Sequence, residues 1–203
     1  MYVPKPFEEF DVARLHALMD EYRFATLVTS GAAGLQATHL PLLLDAAGEF
    51  GTLYGHVARA NPQWRAFGDG STLAIFAGPH AYVSPRWYHD AANVPTWDYA
   101  VVHAHGKPRL IEEPREVERF LDRLVEREER DASEPWRASF APREYIERLT
   151  GAIVAFSFPI ERLQGAFKLS QNHDATDRAR VREALQHSAD APSRRIAELI
   201  PQG

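Results

Sequence analysis

Residues 24–57 read FATLVTSGAAGLQATHLPLLLDAAGEFGTLYGHV, and the punctuation of this stretch decides the fold. Phe24 to Ser30 (FATLVTS) is rich in β-branched and aromatic residues and runs into a turn of small residues, SGAAG. Leu35 to Asp45 predicts a second strand, closed by the turn AAGE, and Gly51 to Val57 predicts a third. Short apolar runs separated by glycine turns predict an antiparallel meander.

Working outward, Asp11 to Tyr22 predicts a helix. Val12, Leu15, Met19 and Tyr22 share one face, and Asp11 can cap the first turn. On the other side, ARANPQWRAF predicts a short helix with Asn61 as N-cap and Pro62 at its first position, Trp64 and Phe67 facing a core. The meander resumes at Ser71 to Ala77, then His80 to Ser84, then Tyr99 to Ile111. Arg115 to Arg130 carries Val117, Phe120, Leu121, Leu124 and Val125 on one helical stripe, its other face crowded with Glu and Arg. Arg143 to Thr150 predicts a third helix and Ala152 to Phe158 a last strand. The tail from Asp174 reads as helix in two pieces, split around Ala191-Pro192. The fold class is thus mainly β with peripheral helices. A closed or partly closed barrel would remove the edges of about six strands and bury their apolar faces. Residues 1–173 read as one domain, with 174–203 as its helical extension.

Composition narrows the function classes. The 203 residues include 23 basic and 28 acidic side chains, a net charge of -5. A surface built for nucleic acid would normally be basic. Cysteine is absent, which removes disulfides, thiolate catalysis and cysteine-held metal clusters. No run reaches the ~18 apolar residues of a membrane helix. The start, MYVPKPFEEF, has prolines and acids where a signal peptide would be basic and then apolar, so a cytoplasmic protein is expected.

Three stretches could hold chemistry. In GHVARANPQW (55–64), a strand ends at His56-Val57, Arg59 follows, and a helix opens at Asn61-Pro62. Unpaired amides at a helix start and a guanidinium fork suit a phosphate; a capped helix with a surface arginine is the plainer alternative. The second stretch, 76–106, gathers Tyr82, Trp87, Tyr88, Trp97 and Tyr99 among prolines 79, 85 and 95. These rings could wall a planar ligand or belong to the core. In the third, GAFKLSQNHD (165–174), Lys168, Ser170, Gln171 and Asn172 follow the last strand. They could meet a phosphate or the polar edge of a ring, or Ser170, Asn172 or Asp174 could merely cap the tail helix. His103 and His105 share a strand face and could bind metal with His39 or His56, but no supporting spacing or carboxylate accompanies them, so packing is the preferred role and no metal site is assigned. GxSxG, GxGxxG and GxxxxGK[ST] are absent. No catalytic residue is assigned.

MYVPKPF (1–7), THLPLLLD (38–45), GHVARANPQW, GPHAYVSPRWY (78–88), VPTWDYAVVHAHG (94–106) and KLSQN (168–172), in this order, resemble the signature blocks of the PaiB-type FMN-binding negative transcriptional regulators. The resemblance implies an FMN-binding split β-barrel, pyridoxamine-phosphate-oxidase-like, forming a homodimer with FMN at the interface. It implies that Thr38, His39, Leu40 and Pro41 lie along the isoalloxazine with backbone groups, Pro41 leaving a gap in strand pairing. His56, Arg59 and Asn61 would surround the phosphate, and Lys168, Ser170, Gln171 and Asn172 would arrive from the partner chain. A phosphate of about -1.5 to -2 needs only one or two cations, so a net acidic protein is no obstacle. The chain departs from the family at two positions: Asp98 stands where asparagine is frequent, and Arg86 where a small polar residue is.

The output implied is negative control of transcription, with FMN as the sensing ligand and indirect control through a small molecule or a protein partner as a further route. The tail carries Arg178, Arg180, Arg182, Arg194 and Arg195, but Asp174, Asp177, Glu183, Asp190 and Glu198 dilute their charge. A packing or dimer-bracing tail is therefore expected over direct DNA contact. A flavin-dependent oxidoreductase of the same barrel class is the alternative, with the cofactor carrying the redox step. A haem-binding relative of the fold, with a histidine axial ligand, is a lesser one.

Overall fold

The computed structural model describes every residue except 33, 69, 91 and 203, so one residue of the SGAAG turn lies outside the described residues. Along the chain come β1 (Glu8–Glu9), α1 (Val12–Glu21), β2 (Phe24–Gly31), β3 (Gly34–Pro41), β4 (Leu43–Asp45), β5 (Thr52–Ala58), β6 (Thr72–Val83), β7 (Thr96–Gly106), β8 (Arg109–Leu110), α2 (Pro114–Glu128), α3 (Arg143–Gly151), β9 (Ile153–Lys168), α4 (Ala175–Gln186) and α5 (Ala191–Leu199). Four 3-10 turns, including Pro62–Ala66 and Pro85–Trp87, fill connections among the described residues. The strands join in the order β3-β2-β6-β7-β9-β5-β4, with β1 and β8 also pairing with β9.

Several expected boundaries are corrected. The run Leu35 to Asp45 is two strands. β3 pairs antiparallel with β2 through Phe24↔Pro41, so the gap in pairing expected at Pro41 is not found. Leu42 N–H donates to the Arg23 carbonyl at 2.9 Å, the next position of the same register, which leaves Pro41 at a position whose nitrogen faces away from β2. The two runs at 71–77 and 80–84 are one 12-residue strand, β6, which passes straight through Pro79. Gly78 allows this strand to lie close to β7: a Cβ there would sit 2.7 Å from the Ala100 carbonyl. The last strand does not stop at Phe158 but continues for 16 residues to Lys168. Its first half pairs with β5 (Thr52↔Pro159 to Ala58↔Ile153) and its second with β1 (Glu8↔Ala166). The tail is helical in two pieces as expected, and Pro192 lies in the first turn of the second, α5, where its fixed φ is favoured.

Contacts divide the chain into two compact units. Unit 1 comprises Met1–Tyr22, Ile75–His103 and Leu163–Gly203; unit 2 comprises Arg23–Ala74 and Ala104–Arg162. In unit 2, Leu27, Leu53, Phe156 and Phe158 are wholly buried. Each such side chain contributes about 1.5–3 kcal/mol by leaving water. The predicted stripe of α2 sets Val117 and Phe120 against Leu43 and Ala155, with Leu121 and Leu124 at the margin. In unit 1, α1 buries Leu15, Leu18 and Met19. Asp11 caps it by accepting from the amides of Ala13 and Arg14. The tail supplies Val181, Leu185, Ile196, Ala197 and Ile200 to the buried interior of this unit. No helix among the described residues is long and apolar enough to cross a membrane.

Candidate functional site

The residues expected to meet a ligand fall in different units. In unit 2, β5 ends at Ala58 and the chain turns through Arg59 into Pro62–Ala66. Arg59 is clamped at both ends: its amide donates to the Ala152 carbonyl at 2.8 Å, Nε to Gly151 O at 2.7 Å, and Nη2 to Ile153 O at 2.8 Å. Nη1 takes no protein partner among the described residues, and the residue is exposed. Arg59 and Trp64 border a cavity of about 460 Å³ whose walls include Ile111, Val117, Ile153 and Ala155. A guanidinium held by two carbonyls loses little freedom on meeting an anion.

Behind Arg59 lies a polar network that the amphipathic reading missed. Asn61 Oδ1 caps the turn by accepting from Gln63 N–H at 3.0 Å, as expected of an N-cap. Phe67 does face inward, its ring edge-on to Phe156 at 5.0 Å, but Trp64 is only half-buried. The residue fully inside is Gln63. Its Nε2 donates to Leu27 O (2.9 Å), Thr29 Oγ1 (3.1 Å) and Gln36 O (3.3 Å). Its Oε1 accepts from Thr38 Oγ1 at 2.5 Å, and that hydroxyl accepts in turn from Asn61 Nδ2 at 2.8 Å. The side chains of Thr38 and Asn61 are therefore spent on each other and on Gln63. What β3 can still offer is its backbone, because β3 ends the strand order on that side. Leu40 is buried, Pro41 is half-buried, and exposed His39 sets Nδ1 3.0 Å from Thr26 Oγ1. His56 lies edge-on to Phe120 at 6.0 Å, and burial holds its pKa below the ordinary imidazole value. At neutral pH it contributes a hydrogen-bonding group and no charge.

In unit 1, the segment KLSQN leaves β9 through a left-handed turn at Ser170 (φ 57°), a conformation uncommon outside glycine. Gln171 is consumed in holding that turn: its Oε1 accepts from Leu169 N–H at 2.6 Å, and its Nε2 donates to Phe167 O. Asp174, not Ser170 or Asn172, caps the tail helix, accepting from Asp177 N–H at 2.8 Å. Lys168 Nζ donates to Thr96 Oγ1 and, at 2.7 Å, to Trp97 O. The turn aims Ser170 Oγ at Asp98 Oδ2, 2.7 Å away. Lys168, Ser170 and Asn172 then line a cavity of about 340 Å³ together with Phe7, Tyr88 and Asp98.

The aromatic cluster divides. Tyr88 is buried and stacks on His173, ring centres 4.3 Å apart and planes at 18°. Tyr82 and Trp97 stay about half exposed, edge to face at 6.0 Å. His103 and His105 do share one half-buried face of β7. Among the described residues no three His, Cys, Asp or Glu side chains converge to hold a metal. Arg86 is exposed, its Nε 3.3 Å from Ser84 Oγ.

Asp98 is the residue sequence reasoning undervalued, though the signal was present. It falls in phase with Ala100, Val102 and Ala104, the inward positions of a strand of period two. It is fully buried, and its Oδ1 has no hydrogen-bond partner among the described residues. Burial raises its pKa, against the opposing effects of the Ser170 hydrogen bond and the charges of Lys168 and His173. The folded state then binds this proton more tightly than the unfolded chain, so stability falls as pH rises through the interval between the two pKa values. Asp98→Asn removes the buried charge and keeps a partner for Ser170. It is expected to gain about 1 kcal/mol at pH 7, a melting temperature roughly 2–4 °C higher. Thermal melts should show that gap narrowing as pH falls and the native carboxyl, whose pKa is raised by burial, takes up its proton; a gap independent of pH would disprove the assignment.

Comparison with known proteins adds to this geometry. Residues 1–162 match the family model described as "Putative FMN-binding domain". The chain is 36% identical over 201 residues to Protease synthase and sporulation protein PAI 2 of Bacillus subtilis (strain 168), covering 98% of this chain and 96% of that one. Among solved structures it is similar to an FAD and haem binding protein of Mycobacterium smegmatis (TM-score 0.63, 16% identity, 85% of this chain and 78% of that one). It is similar also to the flavocytochrome Anf3 of Azotobacter vinelandii (TM-score 0.62, 15% identity, 79% and 69%). The mainly antiparallel fold with peripheral helices, of the split-barrel class, is the one the sequence led us to expect.

Proposed function

The chain belongs to the FMN-binding domain family, and from that premise we propose that it holds FMN in a cytoplasmic homodimer and acts as a PaiB-type negative regulator of transcription. The observation that carries the reading is the clamped Arg59: a fixed, exposed cation beside a cavity, with Nη1 left for an anion. The residues present fit the cofactor. Arg59 meets the phosphate, helped by an N–H of neutral His56. Thr38, His39, Leu40 and Pro41 present the open backbone edge of β3 to the ring. Asn61 positions this corner through Thr38 and Gln63. A second copy of the chain supplies Lys168, Ser170 and Asn172, with Gln171 bracing their turn. When bound, FMN supplies redox chemistry; the protein's part is to fix its phosphate and shield its ring.

The regulatory output is the one implied by the resemblance of the sequence blocks to PaiB-type regulators, and the chain matches Protease synthase and sporulation protein PAI 2 over nearly its whole length. The tail does not look like a DNA reader. Arg195 is paired with Glu21 (2.7 Å) and Glu198 (2.6 Å), and Arg194 and Arg178 donate to carbonyls of their own helix starts. Control through a ligand or a protein partner is therefore the form we favour.

Titration with FMN, followed in the visible spectrum, tests the site. Wild-type protein should bind it. Arg59→Ala should bind about 10- to 100-fold more weakly, since a charge-assisted contact contributes about 1.5–3 kcal/mol. Unchanged affinity would place the phosphate elsewhere, and no binding by the wild type would end the reading.

A further inference from the structure

The cavity of unit 1 contains two buried polar atoms without hydrogen-bond partners among the described residues. Asp98 Oδ1 and Tyr88 Oη are both sequestered from solvent and unbonded, yet both residues line the same 340 Å³ space. A buried polar group left unsatisfied costs about 1–3 kcal/mol, so two of them in one cavity mark a place for an external partner. The opening stands beside a left-handed, non-glycine residue, Ser170, whose side chain fixes the other oxygen of Asp98 at 2.7 Å. Asp98 therefore cannot turn to satisfy Oδ1 without giving up Ser170.

The lining selects the chemistry of that partner. Asp98 Oδ1, as a carboxylate oxygen, accepts only. Tyr88 Oη can donate. Lys168 Nζ has three N–H groups and spends two on Thr96 and Trp97. A free anion would meet Asp98, and a free cation would meet Lys168. A neutral group offering an N–H with a carbonyl oxygen beside it satisfies both signs at once. The walls are flat: the Phe7 ring lies 5.9 Å from Lys168 Nζ, and Tyr88 is backed by the stacked ring of His173.

We propose that this cavity binds the planar edge of an imide or lactam, its N–H donating to Asp98 Oδ1 and its flanking carbonyls accepting from Tyr88 Oη and Lys168 Nζ. The inference stands on unit 1 alone and does not need the Arg59 corner. Two sources carry this edge: the pyrimidine ring of a flavin, or a separate small molecule such as a nucleobase.

The test uses full-length protein and calorimetric titration with 1-methyluracil, which keeps the imide, and 1,3-dimethyluracil, which lacks its N–H. 1-Methyluracil should bind at least about tenfold more tightly than the dimethyl probe. Asp98→Leu should abolish that preference, and Asp98→Asn should retain it through the amide oxygen. Equal binding of the two probes by wild-type protein, or binding of neither, overturns the proposal, and this comparison needs no variant to fold. FMN and N3-methyl-FMN identify the source. If a flavin supplies the edge, N3-methylation weakens FMN by about tenfold or more and FMN displaces 1-methyluracil. If a separate molecule does, FMN and 1-methyluracil bind together and N3-methylation has no effect. Loss of FMN binding in Arg59→Ala with the uracil preference intact would leave this site standing while locating the phosphate at Arg59.

Discussion

Gln63→Ala is expected to lower the melting temperature by roughly 6–12 °C, corresponding to about 3 kcal/mol. The side chain is only 1% exposed and sits on a five-residue turn that cannot bury much else. Truncation strands the carbonyls of Leu27 and Gln36 and the hydroxyls of Thr29 and Thr38, each bonded to Gln63 in the native protein. It also leaves a cavity where the amide was, which adds its own cost. Thr29 keeps a contact with Thr72 Oγ1 at 3.2 Å, so the loss is not the full sum of four groups. Gln63→Glu separates shape from bonding. It fills the same volume but sets an oxygen where Nε2 faced two carbonyls, and it should destabilise nearly as much at neutral pH. A wild-type melt for Gln63→Glu would show that these hydrogen bonds do not hold the corner. Because Thr38 and Asn61 are anchored through Gln63, both variants should also weaken FMN binding.

The second large effect is Gly106→Ala, at the end of β7. A Cβ there would lie 2.2 Å from the Pro159 carbonyl and 3.2 Å from Phe158 Cε2. The first of these is backbone, in the middle of β9, and no rotamer change can relieve it. We expect a loss of about 3 kcal/mol or more, seen as a lower melting temperature or as insoluble protein. Gly151→Ala is the control: nothing lies within 4 Å of the added carbon, and the residue is in α3. It should be neutral or stabilising by up to about 1 kcal/mol. Equal behaviour of the two variants would refute the close approach at Gly106.

Local signals were legible in the sequence. Asp11 caps α1 and Asn61 caps its turn because a cap needs only residues within one turn of itself. The α2 stripe was legible because helical period and a single buried face coincide. The gap expected at Pro41 did not follow from its missing amide, because that nitrogen faces away from β2 and the register runs on to Arg23 and Leu42. What failed was everything that depends on a distant partner. β9 passes through Pro159 because its neighbours change along its length, from β5 and β8 to β1, and no local pattern records that. In the candidate site, the residue types around Arg59 and Lys168 were legible, but their commitments were not. Whether a guanidinium holds Gly151 and Ile153, or a glutamine amide folds back on Phe167, is decided by carbonyls the sequence does not mark. Gln63 was missed because a 3-10 turn does not obey the 3.6-residue period used to orient Trp64 and Phe67.

The interleaving of the two units constrains how this gene can be rearranged. The backbone passes from one unit to the other after Tyr22, Ala74, His103 and Arg162. No single recombination breakpoint can exchange one unit and spare its counterpart, and no protease nick can set either free. Shuffled relatives must therefore be inherited nearly whole, and matched parents should yield viable chimeras only when several crossovers coincide with those four joints.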